Sequence, residues 1–455
     1  MRLNPRWLGL AGTTLLAASG FLAGKPVHPD PAWVTGVCLW FAGLAVLGRA
    51  WWALRDAPSP RELLVTGAIW SVPLLVAPPM GALDVYAYAC QGQLFDAGFD
   101  LYQSGPSALP CTWLSAVPPL WHDTPTPYGP LWFAISGGVA WLAHGHLIVA
   151  VGLFRLVALL GLLLCVAAAH RLTDGNAAIA ASPLVLIHVV SGVHNDVLLA
   201  GFVLTAFALA TRGRSGLTGV ALGLAAAVKI TALVAAPFAA LLVLFRADRL
   251  CRRAPVSLTA TMVLTYAVLA VATGHGLGFV RALGATAGLV QWLSLPTGLG
   301  MAAGYVLRLF GRGDLFATAV AVARAIGLAA LAAVLVALWW RALRAARRRV
   351  PDLTDRVLTA CGLALLATAV LGPVFYAWYT IAGIAVLAGT TLGGRLRTGV
   401  HVAVVALPFL TLPDSLGLAT KTKVPGAFLD VAIVIAAVVH LVRTRRARAP
   451  GPKTG

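Results

Sequence analysis

Stretches of about 20 apolar residues recur along the whole chain, as in "ITALVAAPFAALLVLFRADRL" from Ile230. A helix that crosses a bilayer needs a run of roughly that length. The alternative, several soluble domains, requires a charged surface. Only 11% of the 455 residues are charged and 60% are hydrophobic, with a mean hydropathy of +0.88, whereas soluble domains carry about a quarter charged residues. The chain therefore reads as an all-α, polytopic helical membrane protein.

The formal net charge of +19 could suggest a nucleic-acid partner, but its distribution excludes one. Basic residues cluster between the apolar runs, at Arg49, Arg55 and Arg61, at Arg246 to Arg253, at Arg341 to Arg349 and at Arg443 to Arg448. Cytoplasmic loops hold the Lys and Arg excess, so these clusters mark one face and Arg155 falls near a helix end. They set about fourteen crossings, from 7–24 to 427–443, with both termini inside. Residues 131–143 read as a half-inserted or interfacial helix, because thirteen residues at about 1.5 Å each are too short for a bilayer. The first run could be a signal peptide, but it continues into a second apolar run and is kept as a helix. The expected organisation is a single integral-membrane domain over 1–455, with external segments at 81–130 and 276–313, interfacial helices within them, and a disordered cytoplasmic tail at 444–455.

Irregular backbone cannot face lipid, so the external segments must lie at the surface or line a hydrated cavity. Six cysteines are scattered without a CxxC pair, which argues against structural zinc. Cys90 and Cys111 share the first external segment, either as a disulfide permitted by an oxidising compartment or as two buried thiols.

One Glu and fourteen Asp leave so few acids that each can be weighed singly. Asp84 follows the third apolar run and opens "DVYAYACQGQLFDAG", a loosely amphipathic interfacial helix. It can cap that helix, and it can also act as a general base toward a sugar hydroxyl. "PLWHDTPTPYGPLW" sets His122, Asp123 and Tyr128 among prolines, which gives either a stiff sugar-binding loop or a rigid re-entry turn. "SGVHNDVLLAG" puts His194, Asn195 and Asp196 on a short external turn, where polar groups near lipid point to function unless Asp196 simply caps the next helix. Lys229 either snorkels to headgroups or neutralises a phosphate. Trp378 and Tyr379 fit an interfacial aromatic belt or stacking faces for a sugar.

The runs "LDVYAYACQGQLFDAGFDLYQSGPSAL", "PLWHDTPTPYGPLW", "SGVHNDVLLAGFVLTAFALA" and "LAAAVKIT", in that order over most of residues 60–240, resemble the actinobacterial polyprenol-phosphate-mannose-dependent α-1,6-mannosyltransferases. These belong to the GT-C class of integral-membrane glycosyltransferases. Beyond residue 240 the likeness reduces to hydrophobicity and "FYAWY". Relatives often carry His-Pro before that aromatic group, whereas this chain has Gly372 and Pro373, so no His role transfers there.

The resemblance implies a GT-C fold in the cell membrane with its active site on the extracytoplasmic face. It implies an acidic catalytic residue in the first external segment, which maps onto Asp84, and a polyprenyl-phosphate-mannose donor. Mannose would pass with inversion to a mannan or lipoglycan acceptor. Lys229 would offset charge on the departing phosphate, His194, Asn195 and Asp196 would orient hydroxyls, and Tyr128, Trp378 and Tyr379 would offer stacking faces. No cofactor is required, with room left for a divalent cation. Two alternatives stand beside it: a GT-C transferase of another lipid-linked sugar such as arabinose, and a lipid or sugar transporter. A transporter would show inverted repeats and mid-membrane polar groups, and here the polar motifs fall at external helix ends.

Overall fold

The computed structural model describes residues 4–25, 30–56, 59–173, 177–245, 252–279, 282, 284, 288–391, 393–414 and 417–448. Arg246, Arg249 and Cys251 of the second basic cluster, and the tail from 449 onward, lie outside them. The described residues are helical with no strand, and every apolar run expected to cross the membrane is helical over most of its length.

Helix starts follow a shared local rule. Asn4, Asp30, Ser59 and Ser182 each accept a hydrogen bond from a backbone amide of the following turn, and each is followed directly by proline. The side chain satisfies an amide that the helix leaves free, and proline has none to lose. These residues open α1 (Pro5–Ala23), α2 (Pro31–Leu54), α3 (Pro60–Val76) and the single turn α7 (Pro183–Val185).

By length and composition, six helices among the described residues can cross a membrane: Pro31–Leu54, Leu147–His170, Arg253–Ala272, Gly313–Arg347, Leu353–Leu371 and Lys423–Thr444. A seventh is counted if Pro183–Ser191 and Asp196–Thr211, bent by 113° across a short break, form one span. The fold is thus a polytopic helical bundle, in which six or seven of the about fourteen expected crossings are that long and apolar. Several runs are cut short by backbone breaks. Ser215–Val228, for example, ends at Lys229, and 14 residues at about 1.5 Å each fall short of a roughly 30 Å hydrocarbon core.

The chain, read above as one domain, divides into two compact units. The first comprises Met1–Gly288, Val334–Thr368 and Ala377–Gly417. It holds α1 to α3, α4 (Asp84–Asp96), α5 (Pro130–Ala143) and α6 (Leu147–His170). Its α4 is not the loosely amphipathic helix that the sequence suggests. Nine of its residues are buried, and it packs on α5 so closely that a Cβ on Gly92 would overlap the Ser136 carbonyl. Small residues allow such backbone approach. Arg155 lies more than two turns inside α6, not near its end, and donates to the carbonyls of Leu74, Leu75 and Ala77. It thereby closes the C-terminus of α3, just ahead of Asp84.

The long loop after α4 is stapled to it. Cys90 and Cys111 form a disulfide. Gln93 Nε2 donates to Thr112 Oγ1 at 3.3 Å, and Thr112 N donates back to Gln93 Oε1 at 3.1 Å. Of the other cysteines described, Cys38 is exposed and Cys165 and Cys361 are buried. Closing about 20 residues by a disulfide contributes roughly 3 kcal/mol in the chain-entropy account. Cys90→Ser is expected to lower the melting temperature and speed proteolysis within 97–129. An unchanged digestion pattern would show that the hydrogen-bonded staple suffices alone.

The second unit comprises Leu289–Ala333, Ala369–Tyr376 and Leu418–Gly455. The external segment 276–313 is therefore shared between units, with its helix Leu295–Leu309 in the second. Here Ser294 Oγ donates to the Gly372 carbonyl and Thr297 Oγ1 to the Pro373 carbonyl, both at 2.7 Å, so the Gly-Pro pair serves as an acceptor ledge. The helix Lys423–Arg448 continues through the first five residues assigned to a disordered tail.

Candidate active site

Asp84 stands in the first turn of α4, one residue past the capping position. That position belongs to Leu83, which makes no side-chain cap, so Asp84 is not the N-cap that a sequence reading allows. Its carboxylate turns inward instead. Oδ1 accepts a hydrogen bond of 3.0 Å from Trp121 Nε1, and Oδ2 lies 3.8 Å from His194 Nδ1, beyond hydrogen-bond range. Burial pushes the carboxyl up to about 6, against the Trp121 hydrogen bond and the positive Lys229, which lower it, and with Asp196, which raises it. A carboxylate poised there can ionise and accept a proton near neutral pH.

His194, Asn195 and Asp196 come from the break in the bent helix pair. A π-helical segment, Leu186–Ser191, ends at Gly192, and Val193 follows with φ +58°. Positive φ in a β-branched residue is strained and persists where its surroundings enforce it. Past that corner α8 (Asp196–Thr211) begins with no side-chain cap at Asn195. Asp196 is not a cap either, since its Oδ1 accepts from Lys229 Nζ at 2.9 Å. The His194 ring is fully buried and stacks on Trp378 at 4.0 Å between centroids with 13° between planes.

Lys229 occupies an extended break, φ −156° and ψ 127°, between α9 (Ser215–Val228) and a 3₁₀ turn. Its ammonium points into the protein and not toward headgroups: the side chain is 12% exposed and Nζ sits 4.0 Å from the Tyr379 ring centroid and 6.0 Å from that of Tyr128. Tyr128 OH lies 3.3 Å from Tyr88 OH. The next residue latches the loop to α9: Gly129 N donates to the Val228 carbonyl at 3.0 Å. A Cβ at Gly129 would overlap the Ala227 carbonyl, so only glycine fits.

Eight of the ten residues anticipated from sequence thus gather in the first unit: Asp84, Tyr128, His194, Asn195, Asp196, Lys229, Trp378 and Tyr379. His122 and Asp123 do not join them through any observed contact. The Val117 carbonyl lies 3.0 Å from His122 Nε2, and Asp123 accepts from Ser107 Oγ, so both hold the loop in shape. Trp378 is buried, which fits a packed site and not a lipid-facing belt. Two participants escaped the sequence reading. Trp121 adjoins His122 in a quoted motif, where nothing sets it apart from the other aromatic residues. His188 sits in an apolar run, where a lone buried polar residue was the available signal. Among the described residues no group of three or more His, Cys, Asp or Glu side chains is placed to hold a metal ion.

Comparison with known proteins gives three family matches. Residues 6–245 match the model described as Alpha-(1->6)-mannopyranosyltransferase, N-terminal domain, residues 296–443 the MptB C-terminal domain, and residues 126–369 Glycosyltransferase family 87. The chain is 32% identical to Alpha-(1->6)-mannopyranosyltransferase A of Mycobacterium tuberculosis, over 83% of this chain and 78% of that protein. It is 29% identical to a Mycolicibacterium smegmatis protein named "Probable alpha-(1->6)-mannopyranosyltransferase", over 98% and 90%. No solved structure matches.

Proposed function

The chain belongs to the alpha-(1->6)-mannopyranosyltransferase family of glycosyltransferases, and from that premise we propose inverting transfer of mannose from polyprenyl-phosphate-mannose to a mannan or lipoglycan acceptor on the outer face of the cell membrane. Asp84 is the base. The observation that carries this is its carboxylate: buried, fixed through one oxygen by Trp121, with the other open and a lysine charge acting on it.

In the proposed step Asp84 takes the proton of the acceptor hydroxyl, and that oxygen bonds to the anomeric carbon. The bond from that carbon to the phosphate oxygen breaks, and polyprenyl phosphate leaves with the electron pair. A single displacement inverts the centre and needs one carboxylate, unlike the two that retaining glycosidases use. Lys229 stabilises charge growing on the phosphate, held in place by Asp196 and the Tyr379 face. Asn195 and His194 orient hydroxyls.

A lipid-linked donor is supported by a mostly apolar cavity of about 560 Å³, lined by Leu64, Leu163, Val189, Val197 and Ile384 among others, with Arg61 and His170 also in its wall. A greasy chain loses water contact by entering such a cavity. Outer-face placement is supported by the Cys90–Cys111 disulfide, since such bonds persist in oxidising compartments, and by basic clusters that fall away from the site segments.

Purified protein in nanodiscs, given radiolabelled polyprenyl-phosphate-mannose and a short α-1,6-mannoside, should lengthen the acceptor with an α-linkage. Transfer from a lipid-linked arabinose and not from the mannosyl donor would sink the donor assignment. The pH profile is a second check. Asp84 acts only when ionised, so kcat/KM should rise through about pH 6, close to tenfold per unit below it. Lys229→Met removes a positive charge that favours ionisation and should move that limb upward.

A further inference from the structure

His188 has no part in the mechanism above, yet its surroundings point to a ligand. Its side chain is fully buried and neither ring nitrogen has a hydrogen-bond partner. The same holds for both nitrogens of His194, both amide atoms of Asn195 and Oδ2 of Asp196. Seven such atoms fall within the nine residues 188–196, where folded proteins leave only a few per hundred residues. An apolar environment penalises each buried polar group left unpaired, so the chain retains a costly arrangement here.

Two independent features mark the same place. His188 lies inside the π-helical segment Leu186–Ser191, and π-turns are concentrated at functional sites. Val193, between the two histidines, holds the strained φ of +58°. The His188 and His194 rings are 5.8 Å apart, and Trp378 flanks both, at 5.4 Å and 4.0 Å.

The chemistry of the unsatisfied atoms selects among ligands. A neutral imidazole offers one donor and one acceptor, and an amide offers both as well. A phosphate asks for donors and positive charge, and a neutral imidazole and an amide bring acceptors and no charge. A sugar hydroxyl both donates and accepts, which matches this mixed set.

We propose that His188 is a sugar-binding residue which, with His194 and Asn195, holds hydroxyls of the transferred hexose. The proposal rests on the mannosyl-transfer reading and extends it by a residue and by the part of the substrate recognised. The π-helical turn presents the ring, and the positive φ of Val193 returns the backbone so that His194 and Asn195 face the same ligand.

The test is direct binding, independent of turnover. Methyl β-mannoside and its four monodeoxy analogues are titrated into the wild-type protein in nanodiscs by saturation-transfer NMR and calorimetry, and into His188→Ala and His188→Gln. Wild type should discriminate against at least one deoxy analogue. His188→Ala should weaken the parent mannoside roughly 10- to 100-fold, and one deoxy analogue, missing the hydroxyl that His188 holds, should bind variant and wild type alike. His188→Gln, which keeps a donor and an acceptor, should recover part of the loss. Equal binding of all five ligands by folded variants, absence of mannoside binding by wild type, or lack of discrimination by wild type would each overturn the proposal. Should His188→Ala fail to fold, His188→Gln and the wild-type deoxy series still decide it. Intact mannoside binding without transfer would instead sink the mannosyl-donor reading alone.

Discussion

Asp84→Asn is expected to lower transfer by about 10²–10⁴-fold, the span general-base catalysis supplies, while the protein still inserts and folds. The amide keeps the size of the side chain and an oxygen to accept from Trp121 Nε1, but it takes no proton from a hydroxyl. Stability should hold or improve. The carboxyl binds its proton more tightly in the folded state, at about 6, than at its ordinary value of 3.8. The ionised group therefore opposes folding above that ordinary value, and an uncharged amide removes the opposition. Initial rates with the mannosyl donor and thermal unfolding of the same preparations separate the two quantities. Near-normal turnover in a folded Asn variant would remove Asp84 from the mechanism.

Lys229→Met should be the next most damaging change, raising the apparent KM for the donor and lowering kcat, together by about 10²–10³-fold. Two causes compete. Loss of the ammonium withdraws charge from the leaving phosphate, and it also strands Asp196, whose carboxylate is buried and paired to it at 2.9 Å. Breaking a buried pair from one side costs about 3 kcal/mol or more, enough to distort the site by itself. The double variant Lys229→Met/Asp196→Asn removes the stranded charge. If the ammonium serves the phosphate, the double variant stays as slow as the single one although its stability returns. Recovery of rate along with stability would return Lys229 to a structural role. Lys229→Arg should restore part of the activity by keeping the charge, and not all of it, because its planar fork directs its donors differently.

The helices were legible because lipid demands apolar runs, and a run of Leu, Val and Ala has no other use at that length. Asp84, the His194–Asp196 turn and Lys229 were legible for the converse reason, since polar groups are scarce enough in such a chain to stand out. What a linear reading could not supply was pairing. Nothing in "VKIT" says that Lys229 will find Asp196, 33 residues away, and nothing in "PLWHD" says that the tryptophan turns inward while His122 and Asp123 tie the loop. The division into two units was equally hidden, because hydrophobicity is uniform across it. His188 was missed because a histidine inside an apolar run looks the same whether a neighbour or a ligand satisfies it.

The Gly129 latch bears on motion. Asp84 is bonded to the loop through Trp121, the loop ends at Gly129, and Gly129 is bonded to the residue before Lys229. Base and cation are thus tied through residues 121–129 by a hydrogen bond at each end, with no room at the Gly129 joint for even a methyl group. Thermal breathing on the microsecond scale, where loops ordinarily swing, would carry the two together and leave their spacing nearly constant. Substrate exchange is then left to parts of the molecule outside this link, and amide exchange at Gly129 should be among the slowest of any loop position.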